Sequence, residues 1–215
     1  MNPFETDAEV YDAWFERHDA AYRSELAAVR AALDAFAPCG RGIDIGAGTG
    51  RFAAPLGITE GVEPAAAMRI LAERRGLHLT DGSAEKLPYE DGVFNFALMI
   101  TTICFVNDPQ QACREAARVL RSGGRLIIGL VPRNNFLGRQ YETQRQTSRF
   151  YRNARFFSMN ETTHLLEAAG FESFTCEQTL FDFPEKMTEP DPVIPGCDWG
   201  GFVVLSGIKQ TGGVR

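Results

Sequence analysis

Histidine is scarce in this 215-residue chain, and the cysteines do not fall into any useful pattern. His18, His78 and His164 are dispersed, while Cys39, Cys104, Cys113, Cys176 and Cys197 are odd in number and form no C-x-x-C pair. Such spacing supplies neither a disulfide framework nor a local zinc motif, so no metal is expected. Positive charge is also the minority sign: 22 Lys and Arg stand against 28 Asp and Glu, a net charge of -6. A chain of that balance is repelled by phosphate backbones and anionic bilayers, and neither nucleic acid nor a membrane is expected as a partner. No apolar run approaches the ~20 residues of a membrane-spanning helix. The stretch Met1 to Val10 is acidic, without a basic segment leading into an apolar one, which points to a cytoplasmic protein. Internal repeats and low-complexity blocks are missing too. With 44% apolar residues over this length, a single domain spanning 1–215 is expected.

What remains is an alternation of short β-rich runs with helical periodicity. Between Tyr11 and Phe36 the large apolar residues recur every three or four positions, predicting one or two amphipathic helices. Strands are predicted at Gly42 to Ile45, Ile58 to Val62, Leu77 to Thr80, Val93 to Ile100 and Arg125 to Val131. Helices are predicted at Arg51 to Leu56, Ala65 to Arg75 and Gln110 to Leu120, the last opened by Asp108-Pro109. Ser158 and Glu161 have the spacing of a capping box that opens a helix running to Gly170. Two further β-rich runs follow, Phe171 to Phe183 and Phe202 to Lys209, and the chain from Gln210 is expected to be loose. The near-continuous apolar run Val93 to Ile100 suits a central parallel strand, which helices cover on both faces.

Two motifs in this frame carry chemistry. Ile43-Asp44-Ile45-Gly46-Ala47-Gly48-Thr49-Gly50 delivers a strand into a glycine-rich turn, where the backbone can approach a ligand closely. A dinucleotide fingerprint would place its third glycine at position 51, but Arg51 stands there, which disfavours a nicotinamide-dependent oxidoreductase. The second motif, Gly61-Val62-Glu63-Pro64, puts a carboxylate at the end of the second strand, at the sheet edge where open α/β folds bind ligands. Such a group can accept from both hydroxyls of a ribose.

Taken in order, these motifs, the segment Asp81-Gly82-Ser83-Ala84-Glu85-Lys86-Leu87-Pro88-Tyr89, the strand Phe94-Asn95-Phe96-Ala97-Leu98-Met99 and the run Glu115 to Leu126 resemble the class I S-adenosylmethionine-dependent methyltransferases. The likeness is to their ubiquinone-biosynthesis-like, type 11 branch, and it covers nearly the whole chain. It implies a Rossmann-like α/β fold, a seven-stranded sheet in the order 3-2-1-4-5-7-6 with the last strand antiparallel and helices on both faces. It also implies S-adenosylmethionine as cofactor, with Gly46, Ala47 and Gly48 facing its methionine, Glu63 its ribose, Ser83 and Ala84 its adenine, and Ile100 with Thr101 the methionine end. Many relatives carry acids where Ser83 and Asn95 stand, and no catalytic role is carried over to Asn95.

The reaction so implied is in-line transfer of a methyl group to a small-molecule acceptor, which alignment alone can accelerate by about 7–11 kcal/mol without an acid or base. Tyr11, Trp14, Phe15, His18 and Tyr22 share one helical face, and the resemblance lays this segment, residues 1–37, over the cofactor as a lid, with Tyr11 at its methionine end. His18 and Tyr22 are the candidates for a catalytic base, against the alternative that the stripe is packing. Residues 132–157 form a long connection on the substrate side. It carries Arg133, Arg139, Arg145, Arg149, Arg152 and Arg155 for an anionic acceptor, and Phe136, Tyr141, Phe150, Tyr151, Phe156 and Phe157 for an aromatic one. A non-catalytic adenosyl-binding protein stays open as a second reading.

Overall fold

In the computed structural model, which describes residues 2–36 and 40–211, one sheet organises the chain. Cys39 and the last four residues of the expected loose tail lie outside the described residues. Five parallel strands come first in the chain: β1 (Gly42–Ile45), β2 (Glu60–Val62), β3 (His78–Thr80), β4 (Phe94–Ile100) and β5 (Leu120–Leu130). β6 (Phe171–Thr179) and β8 (Phe202–Lys209) follow, with the two-residue β7 (Ile194–Pro195) between them in sequence. The spatial order is β3-β2-β1-β4-β5-β8-β6-β7, and β8 runs antiparallel to both β5 and β6. The predicted seven-stranded order is therefore present, extended by β7 at the outer edge.

Period-2 alternation sends each central strand to two cores. Ala97 and Met99 of β4 join Leu126 and Ile128 of β5 on one face, covered by α5 (Pro109–Val119) and α7 (Met159–Ala168). Phe96, Leu98, Ile100 and Ile127 join the other face, where α3 (Asp19–Asp34) lays down Ala21, Ala28, Val29 and Ala32. Ahead of α3 come α1 (Pro3–Thr6) and α2 (Ala8–Arg17), and the remaining helices are α4 (Ala66–Glu73) and α6 (Phe136–Gln144). Asp108 accepts from the Gln111 amide at the start of α5, and the Ser158 and Glu161 capping box opens α7.

Three local expectations are corrected. The predicted helix Arg51 to Leu56 is a turn followed by a 3₁₀ helix over Ala54–Leu56, ending at Gly57 with φ +74°. Pro55 has no amide to return to the Arg51 carbonyl, so an α-helix cannot propagate through it. β5 begins at Leu120 rather than Arg125, because Leu120 already pairs with Phe94 before a register shift at the Gly123-Gly124 corner. Gln210 is tied rather than loose, its amide donating to the Gly170 carbonyl at 2.9 Å.

Candidate active site

The C-terminal ends of β1, β2 and β4 converge on a cleft of about 250 Å³. At the end of β1 the chain enters Gly46 to Gly50, with Gly46, Gly48 and Gly50 all at positive φ. Gly46 and Ala47 donate their amides to the Val62 carbonyl at 2.7 and 3.1 Å, which folds the turn back on β2. A Cβ added at Gly46 would collide with Thr102, whereas one at Gly48 would meet no atom within 4 Å and would point into open space. Gly46 thus serves close packing, and Gly48 leaves room beside the cleft.

Glu63 closes the same turn from β2. Its Oε2 accepts from the Gly48 amide at 3.0 Å and its Oε1 from the Ala65 amide at 2.9 Å. Burial raises its pKa, those two amides oppose the rise, and the carboxylate keeps lone pairs free toward the cleft it lines. On β1, the Asp44 carboxyl is 2% exposed and its Oδ1 has no hydrogen-bond partner. Burial, with the nearby Glu63 charge, pushes Asp44 up to about 7. Asp44 opens onto a small recess that shares Tyr11, Gly46, Gly48, Ile100 and Thr101 with the cleft. A buried acceptor left without a donor calls for a cation or a donor from outside the chain.

Tyr11, Gly46, Gly48, Glu63, Ser83, Ala84, Ile100 and Thr101 all line the cleft, and Ala47 lines the adjoining recess. Thr101 holds φ +51°, an uncommon backbone state for a residue with a Cβ, at the tip of β4. Sequence reasoning missed Asp44 as a site residue, although it stands inside the glycine motif. It also missed Phe4, Met68 and the Phe105 to Asn107 loop. Phe4 packs edge-on against Tyr11 and Phe105, with ring centroids 5.7 and 5.0 Å away, so α1 and α2 roof the cleft. No spacing signal could have found Phe4, whose helix has only four residues.

His18 and Tyr22 lie outside the cleft. His18 occupies the break between α2 and α3, stacked on Trp14 at 4.6 Å with Nδ1 3.0 Å from the Trp14 carbonyl oxygen. Tyr22 donates its hydroxyl to the Arg51 carbonyl at 2.5 Å, the acceptor that Pro55 leaves without an amide. Arg51, where a dinucleotide fingerprint has glycine, reaches back to α2 and pairs with Asp12 at 2.6 Å and Glu16 at 3.0 Å. None of the six arginines of 132–157 lines the cleft or the aromatic chamber beyond it, while Tyr141, Phe150 and Tyr151 do face that chamber. Among the described residues, no helix is long and apolar enough to cross a membrane.

Comparison with known proteins agrees with this geometry. Residues 43–128 match the model of a family described as a methyltransferase domain. A Thermotoga maritima protein described as a SAM-dependent methyltransferase, possible histamine N-methyltransferase, is 50% identical, with a TM-score of 0.92 over 96% of this chain and 98% of its own. An uncharacterised Methanocaldococcus jannaschii protein is 40% identical over 209 residues, covering 97% of this chain and 100% of its own. An uncharacterised Mycobacterium tuberculosis protein is 34% identical over 210 residues, 95% of this chain and 73% of its own. The chain belongs to the class I S-adenosylmethionine-dependent methyltransferases. It is a methyltransferase that uses S-adenosylmethionine, and the nicotinamide alternative finds no support. The cleft with its adjoining recess fits that cofactor: the recess offers an orphaned carboxyl for an ammonium, and the cleft a second carboxylate for a diol and open space at Gly48.

Proposed function

We propose that the protein transfers a methyl group from S-adenosylmethionine to a small molecule by in-line displacement. Bound S-adenosylmethionine supplies an activated methyl on a sulfonium, whose leaving group is a neutral thioether. The chain's own work is then binding, alignment and exclusion of water. In this reading Asp44 takes the cofactor's ammonium, Glu63 its ribose hydroxyls, Gly46 to Gly48 its methionine, and Ser83 with Ala84 its adenine edge. Thr101 and Ile100 mark the methionine end, and α1 with α2, through Phe4 and Tyr11, form the lid.

The observation that carries the small-molecule reading is the chamber of about 100 Å³ that shares Tyr11 and Thr101 with the cleft. It is lined from α2, α3 and the 132–157 segment, and its volume suits a compact acceptor. The acceptor named in the description of the Thermotoga maritima relative, histamine, is of that size. The test is to incubate the protein with methyl-labelled S-adenosylmethionine and a cell extract separated into metabolite, protein and nucleic-acid fractions. Label should enter the metabolite fraction. Label in protein or nucleic acid alone would overturn the small-molecule reading.

A further inference from the structure

One group is out of keeping with the chamber's lining of Trp14, Phe15, Phe52, Tyr141, Phe150 and Tyr151. α3 projects Glu25 into it, and the residue is only 6% exposed. Its carboxyl makes no hydrogen bond or ion pair with any described residue, and burial is the sole influence on its titration. The polar neighbour Ser24 is fully engaged elsewhere, donating to the Ala20 carbonyl at 2.8 Å and accepting from the Asp191 amide at 2.8 Å. An unpartnered acid among rings costs stability that a leucine at the same helical position would not. A fold that keeps it there keeps it for a partner that arrives from outside.

We propose that the chamber seats a small organic amine, its ammonium held by Glu25 and its carbon skeleton packed among the rings. This rests on the methyl-transfer reading, in which the chamber is the acceptor site beside the cofactor cleft. An ammonium is the charge that both features of the lining favour. The carboxylate attracts it, and aromatic faces stabilise a cation further when water is excluded. An anionic acceptor would oppose ionisation of Glu25, and a neutral alcohol could exchange a hydrogen bond with the acid but bring no charge to pair with it. The other titratable groups around the chamber do not compete for this role. Burial raises the Tyr11, Tyr141 and Tyr151 phenols, which stay neutral, and Arg17 is exposed at the rim. Burial also pushes Glu25 up to about 8, so near neutral pH the free chamber holds a carboxylic acid. Seating an ammonium ionises that acid and releases a proton.

The experiment titrates protein saturated with S-adenosylhomocysteine against a panel of primary alkyl- and arylalkylamines, each beside the alcohol of the same skeleton. Calorimetry near neutral pH in buffers of different ionisation enthalpy reads affinity and proton release together, and Trp14 fluorescence provides an optical signal. At least one amine should bind about tenfold or more tighter than its alcohol, with a proton released. Glu25→Gln should erase the preference for amine over alcohol while S-adenosylhomocysteine binds as before. A panel in which no amine outbinds its alcohol overturns the proposal, as does a Gln variant that keeps the preference. Should that variant fold poorly, tight amine binding to the unaltered protein without proton release overturns it equally. Failure to bind S-adenosylhomocysteine at all would instead strike the methyl-transfer reading, so the two failures are distinguishable.

Discussion

At the scale of single residues, Glu63 has a structural job beside the ribose-binding one proposed for it. Its position after β2 marks it as a ribose acceptor, yet in the folded chain its oxygens also take the Gly48 and Ala65 amides at 3.0 and 2.9 Å. Glu63→Ala should therefore weaken S-adenosylhomocysteine binding by about 2–4 kcal/mol and lower stability by about 1–3 kcal/mol, because a buried and a part-buried amide lose their acceptor. Calorimetry and denaturant unfolding measure the two losses separately, and unchanged affinity in a folded variant would remove Glu63 from the cofactor site. Asp12 is a structural counterpart. Burial acts to raise its pKa, but hydrogen bonds from Arg51, Thr49 and Arg75 outweigh it and hold Asp12 at about 2. Its side chain is only 14% exposed, so Asp12→Ala should cost about 2–4 kcal/mol by leaving two guanidiniums without their shared carboxylate. A change in denaturation midpoint too small to resolve would show that the cluster is solvated and inert. Because the Asp12 pKa is depressed on folding, its contribution is present above the ordinary carboxylate range near 4 and is lost as pH falls toward 2.

At the scale of elements, the roof of the cleft divides into a part tied down at the rim and a part built into the core. α1 is held by the packing of Phe4 and by surface contacts. The Glu5 carboxylate caps the N-terminus of α4 through the Ala66 and Ala67 amides at 2.8 and 3.1 Å, and Asp7 at its C-terminal end pairs with Arg149 at 3.0 Å. α2 and α3 are another matter, since Phe15 and Ala21 are buried in the core under the sheet. A lid reaching to Tyr22 would have to tear that core open, so if the proposed lid closes, the closure is confined to α1 and the first turn of α2. Amides from Phe4 to Tyr11 should exchange more slowly when S-adenosylhomocysteine saturates the site, while those from Phe15 to Tyr22 should hardly change. Equal exchange over Phe4 to Tyr11 with and without ligand would make α1 a fixed wall. The strands β1 and β4 were legible in the sequence because apolar runs and a glycine turn are local signals. β7 was not, because two residues at a sheet edge carry no periodicity. The glycine turn and Glu63 at the cleft were legible for the same local reason, whereas Glu25 in the chamber was not. Its burial arises only when Tyr141 and Tyr151, more than a hundred positions away in sequence, close the chamber over α3.

At the scale of the whole molecule, the ligand-binding space is walled by acids that folding pushes in one direction. Asp44 is raised to about 7 and Glu25 to about 8 by burial, and Glu63 is raised by burial against the two amides it accepts from. A carboxyl whose folded pKa lies above its unfolded value favours the fold fully below the unfolded value near 4. That contribution is lost as pH rises through the folded pKa. The ligand-free protein should therefore lose stability between about pH 4 and pH 8, the reverse of the Asp12 contribution, which fades only in stronger acid. Binding sites commonly hold such strain, which the ligand relieves by supplying the missing counter-charge. In the proposed reading S-adenosylhomocysteine brings an ammonium suited to Asp44 and hydroxyls suited to Glu63, so it favours the ionised form of the wall and binds best where that form already prevails. Its affinity, and with it its stabilisation, should accordingly grow with pH, giving a larger rise in Tm near pH 8 than near pH 6 at the same free ligand concentration. Asp44→Asn separates this account from a general pH effect. The amide cannot ionise, so the ligand-free variant should lose less stability over that range, and its affinity for S-adenosylhomocysteine should fall about tenfold or more. Scanning calorimetry across the range, with and without ligand, reads all of these quantities. A ligand-induced Tm shift independent of pH, with the Asn variant behaving like the unaltered protein, would mean that Asp44 does not meet the cofactor and that its orphaned oxygen is answered by something else.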